Sequence, residues 1–105
     1  MRLLRDWLTP AQRAQFAEKG YFDVIGGETG RRYRIFPGAM ANVCEVNERG
    51  RPRLGLCFRT LGELPIGDVM LSQKIALESR ESGALAVARR FVPNGFSFRQ
   101  SRLLG

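Results

Sequence analysis

The side chains that usually do chemistry are thin in this chain. There is no histidine among its 105 residues, and only two cysteines, Cys44 and Cys57. The commonest general base and metal ligand is therefore missing. Serine and cysteine nucleophiles have no imidazole to activate them. The acids Asp23, Glu28, Glu45, Glu48, Glu63 and Asp68 are scattered along the sequence, with no spacing that sets two carboxylates for acid–base work. Zinc needs about four ligands in a tight cluster. Two cysteines without histidine do not supply them. The segment Gly26-Gly27-Glu28-Thr29-Gly30 lacks the lysine and following helix of a phosphate-binding P-loop, and reads as a hairpin turn. The expectation is a non-enzymatic domain with no catalytic residue, no metal and no cofactor.

What remains is arginine. Lysine and arginine total 17 against 10 acids, for a net charge of +7. Only Lys19 and Lys74 are lysines. A guanidinium can hold a phosphate through two parallel hydrogen bonds. Between Arg49 and Gly62 lie Arg49, Arg51, Arg53 and Arg59 with no intervening acid. Arg32 and Arg34 alternate with apolar residues in Arg31–Phe36, as on a half-buried strand. Beside them Phe36 could stack on an unpaired base. These six, Arg32, Arg34, Arg49, Arg51, Arg53 and Arg59, form the candidate nucleic-acid-binding set. Asp23 and Glu45 dilute their field. The alternative is a protein–protein module or accessory subunit, homo-oligomeric in its simplest form. An arginine-rich composition also arises without any function.

The elements that must position these residues are legible in part. Thr9-Pro10-Ala11-Gln12 has a capping residue, a proline suited to the first helical position and a glutamine able to close a capping box. The helix runs to about Lys19 and ends at Gly20. Leu3, Leu4, Trp7 and Leu8 place a short amphipathic turn before it. Four strands follow: Tyr21–Ile25, Arg31–Phe36, Asn42–Val46 and Arg51–Arg59. Asn47-Glu48-Arg49-Gly50 is the pattern of a type I turn closed by a glycine bulge. The connections are too short for crossovers, so the sheet should be an antiparallel meander.

Closing that turn with Asn47 opposite Arg51 sets Cys44 opposite Leu54 and Glu45 opposite Arg53. Cys44, Val46, Leu54, Leu56 and Phe58 then share an apolar face. Arg53, Gly55, Cys57 and Arg59 fall on the other, and the two thiols diverge. A first C-terminal helix is expected from about Ile66 or Asp68 to Glu78, apolar on two sides. Gln73 and Lys74 form a polar seam on it. A second is expected from about Ser82 to Phe91. Glu78 and Glu81 look like surface residues at the junction between them. The fold class is α+β: an N-terminal helix, a four-stranded meander, and two C-terminal helices on one sheet face. All 105 residues fit one domain, with residues 92–105 as a basic tail. No apolar run approaches a membrane span, and the first residues are too short and charged for a secretory signal, so the expected location is cytoplasmic.

The runs Arg32-Tyr33-Arg34-Ile35, Asn42-Val43, Leu56-Cys57-Phe58 and Gly67 to Glu78 resemble short uncharacterised bacterial proteins. These share an RYRI…NV…CF…GDVML-x-QKIALE pattern over roughly Tyr21 to Phe91. The resemblance implies a bacterial or phage origin and carries no activity. The order of strands, cysteine and helix also resembles SWIM zinc-finger domains. That family's CxC…CxH ligands are absent, so its zinc is not implied.

Overall fold

The computed structural model describes residues 2–38, 41–58 and 64–93. Thr9 caps the second helix as its type requires: its hydroxyl accepts from the Gln12 N–H at 3.1 Å, and the Gln12 side chain accepts from the Thr9 N–H at 3.0 Å. That helix, α2 (Pro10–Lys19), ends on Gly20 in the left-handed conformation at φ 78°. A short helix, α1 (Arg2–Trp7), precedes it and inserts Leu4 into the core.

The chain then forms strands β1 (Phe22–Ile25), β2 (Arg32–Ile35), β3 (Val43–Val46) and β4 (Pro52–Cys57). Helices α3 (Ile66–Ser79) and α4 (Glu81–Val87) follow. The α+β class is as expected, but the strand count is not. A fifth strand, β5 (Arg89–Phe91), pairs antiparallel with β4 and completes the order β1-β2-β3-β4-β5. It replaces the expected end of the last helix. At Ala88 the backbone is already extended, at φ −78° and ψ 145°. Ala84, Leu85 and Ala88 still pack against the core, whereas Val87 is exposed.

Cross-strand pairs fix what each sheet face carries. Phe22 lies opposite Ile35, and Ile35 opposite Val43. With Val24, Tyr33, Leu56, Met70 and Leu77 they form the main core under the helices. Both hairpin connections expected at glycine-rich turns are present. Asn47 closes the second one, its side chain accepting from the N–H groups of Arg49 and Arg51 at 2.9 and 3.0 Å, and Gly50 takes φ 77°.

The expected register of β4 is corrected by a bulge. Val46 pairs with Pro52, but Glu45 pairs with Leu54 and Cys44 with Gly55. Arg53 is the extra residue. A regular ladder would have turned Leu54 and Leu56 to the side of Cys44 and Val46. The parity of β3 is fixed by Val43 opposite Ile35, so the bulge is what delivers Leu56 to the helix side. Cys44 and Val46 instead face away from the helices. They join Phe36, Tyr21 and Phe91 in a second apolar cluster. Cys57 also lies on that far face, by its pairing next to Gly55, so the thiols do not diverge as expected; both are free.

Two glutamines shield the outer edge of β1. Gln15 accepts from the Asp23 N–H at 2.8 Å, and Gln12 donates to the Asp23 carbonyl at 3.0 Å. These backbone groups would otherwise be open for pairing. On α3 the polar seam of Gln73 and Lys74 is buried. Gln73 and Asn42 exchange two hydrogen bonds at 2.9 and 3.0 Å, tying the β2–β3 connection to the helix. Lys74 donates to Glu78 at 2.6 Å. None of the described helices is long and apolar enough to cross a membrane.

Candidate anion-binding depression

In a meander the first and third connections emerge at the same end of the sheet. Here the β1–β2 turn and the β3–β4 turn flank a depression of about 910 Å³ that opens to solvent. Arg31, Arg32, Arg49 and Arg53 line it, against the two carboxylates Glu45 and Glu48. Ile25 and Val46 supply an apolar part of the wall, and Thr29 and Asn47 a polar one.

The six arginines singled out from the sequence divide. Arg34 is not on a solvated face, contrary to expectation; its side chain is 13% exposed. It clamps Asp23 through Nε at 2.8 Å and Nη2 at 3.1 Å, and donates through Nη1 to the Gly50 carbonyl at 2.9 Å. Its guanidinium lies 4.3 Å from the centre of the Tyr21 ring. Burial works against its charge, but the hydrogen bonds and charge of Asp23 outweigh this and hold it firmly protonated. Arg34 is a structural residue.

Arg32 is intermediate. Nη2 donates to the Asn47 carbonyl at 3.2 Å, and Nε lies 3.6 Å from the Asp23 carboxylate without hydrogen-bonding it. Arg49, Arg51 and Arg53 are exposed. Arg53 touches Glu45 at 3.3 Å with 64% of its side chain exposed, so the pairing contributes little and leaves donors free. Arg49 and Arg53 reach the depression and Arg51 does not line it. Arg59 lies outside the described residues. Arg31, which the sequence reading omitted, does line it. Its signal was its place in the turn beside Arg32.

Phe36, expected to offer a face for stacking, is 4% exposed and packed at 5.1 Å against Tyr21. Among the described residues no aromatic side chain lines the depression. Cys44 is fully buried, and burial pushes its thiol up to about 12, so it is a core residue rather than a nucleophile. Among the described residues no three His, Cys, Asp or Glu side chains gather as metal ligands.

One wall of the depression is held from behind by Glu81, which the sequence placed at the surface. It is fully buried. Its carboxylate accepts from the backbone N–H groups of Glu28 and Thr29 at 3.0 and 2.8 Å, from the Thr29 hydroxyl, and from the Tyr33 hydroxyl at 2.6 Å. Glu28 answers by accepting from the Ser82 N–H at 2.6 Å and its hydroxyl at 3.1 Å. Gly26 makes room: a Cβ there would lie 2.3 Å from the Glu81 carboxyl.

Comparison of the chain with known protein families, curated proteins and solved structures finds no match.

Proposed function

We propose that this protein is a small nucleic-acid-binding domain that holds the phosphate backbone in the depression between its two hairpin turns. The supporting observation is the gathering there of Arg31, Arg32, Arg49 and Arg53 on a chain of net charge +7. Guanidinium groups match phosphate geometry through paired hydrogen bonds, and a basic surface also speeds encounter with a polyanion. With no aromatic among the described residues of the wall, recognition rests on phosphates and not on stacked bases.

The test is fluorescence anisotropy with a single-stranded DNA 12-mer across a salt series. Three or four phosphate contacts give a slope of log K against log salt of about −2 to −3. Arg49→Ala and Arg53→Ala should each weaken binding and flatten that slope by roughly one contact's share. Affinity that ignores salt, or no binding at low salt, overturns the proposal.

A second reading, a protein-interaction module that includes self-association, draws on a different surface. Trp7 on α1 and Ile66 and Ile75 on α3 are 59%, 49% and 45% exposed, and these two helices pack together. Light scattering that shows a strict monomer removes the self-association form.

A further inference from the structure

Thr29 stands in two structures at once. It lines the depression, and its N–H and hydroxyl both bind the buried Glu81 carboxylate. Glu81 is the first residue of α4. That helix has seven residues and no side-chain cap from its own N-cap position. A helix this short does not hold itself together in water. Ala84 is its only buried apolar residue, with Leu85 packed alongside. The β1–β2 turn supplies the rest: it receives Glu81, and its Glu28 caps the Ser82 N–H. The same turn is tied to α3, its Gly27 N–H donating to the Leu77 carbonyl at 3.1 Å. A single residue, Ala88, separates α4 from β5. Opening of α4 therefore frees the turn from Glu81 and Ser82, leaving it held to α3 through Gly27, and loosens the lead into the edge strand.

We infer that the Glu81–Thr29 clasp couples the depression to α4 and β5, so that a polyanion seated between the turns suppresses local opening of the C-terminal helix and edge strand. The inference rests on the nucleic-acid reading of the depression. Its physical basis is linkage. When α4 opens, Thr29 loses its two anchors, the turn that carries Arg31 and Arg32 loosens, and the bound state loses its preorganised wall. A ligand that prefers the closed turn thus makes opening rarer. The effect is reciprocal: loosening α4 weakens the ligand.

The test is residue-resolved amide exchange of the full chain, free and with the same DNA 12-mer at about ten times its Kd. Exchange in Ala84–Phe91 should slow by up to about tenfold, the limit set by that occupancy. Thr29→Val removes the hydroxyl donor and keeps the backbone one. It should quicken exchange in α4 and β5 of the free protein, while the β2–β3 core keeps its protection, and Thr29→Ser should restore it. Binding of the 12-mer with unchanged exchange in α4 and β5 overturns the coupling and leaves the binding site standing. Absence of binding overturns both. A Thr29→Val protein whose α4 exchanges as the parent does also overturns the coupling.

Discussion

Glu81 keeps its charge in a place where charges are expensive. Burial works against the carboxylate, but the Thr29 and Tyr33 side chains and the N–H groups of Thr29 and Glu28 outweigh it, and the group is lowered from 4.5 to about 2. Burial, together with the contact to Glu81, pushes the Tyr33 hydroxyl well above its ordinary value, so it remains a donor. A carboxylate that is more acidic when folded stabilises the fold fully above its unfolded value. That contribution fades as pH falls from about 4.5 toward about 2. Urea midpoints measured down this range should fall steeply. Glu81→Gln should be less stable at pH 7 and show a shallower acid decline. An unchanged pH profile would remove Glu81 as the group responsible. Little in the sequence announces this residue. Glu78 and Glu81 flank a helix junction, as surface acids commonly do. The two adjacent glycines Gly26 and Gly27 were the only trace, since both leave space that the α3–α4 junction fills.

The elements were legible where local chemistry decides them. Thr9, Pro10, Gln12 and Gly20 set the ends of α2, and Asn47 with Gly50 set the second hairpin turn. What local chemistry could not reveal was the bulge at Arg53, because a bulge is the answer to a conflict between strands distant in sequence. Pro52 has no N–H to give to a regular ladder, which makes the start of β4 the natural place for the irregularity. Strand β5 was hidden for a related reason. Arg89-Arg90-Phe91 lacks strand alternation, and it pairs because Gly55 on β4 leaves room for the Phe91 ring. A Cβ on Gly55 would lie 2.3 Å from that ring. Gly55→Ala should therefore displace Phe91, destabilise the fold by about 1–3 kcal/mol, and raise amide exchange in β5. Gly83 tests the opposite sign. It lies inside α4 with nothing within 4 Å of an added Cβ. Gly83→Ala should stabilise by about 0.5–1 kcal/mol through helix propensity. If both substitutions act alike in thermal melts, the packing of β5 across β4 is not as described.

Across the whole molecule, the proposed function gives the arginines two purposes that composition alone cannot separate. Among the described residues the helices cover one face of the sheet, yet Phe36, Cys44 and Val46 on the other are nearly or fully buried. Arg34 contributes to closing that face, lying over Tyr21 and joining Asp23 on β1 to the Gly50 carbonyl of the distant turn. Arg49 and Arg53 stand in water beside the depression. Stability and binding should therefore come apart. Arg34→Ala leaves Asp23, 14% exposed, with only the longer contact to Arg32, and should lower stability by about 2–3 kcal/mol. Arg49→Ala and Arg53→Ala should each shift it by less than about 0.5 kcal/mol, as surface changes do, while weakening oligonucleotide binding. Urea denaturation and anisotropy on the same three proteins decide the matter. Should Arg49→Ala or Arg53→Ala unfold the domain as readily as Arg34→Ala, the exposed guanidinium groups belong to the fold and the depression loses its claim to be a binding site.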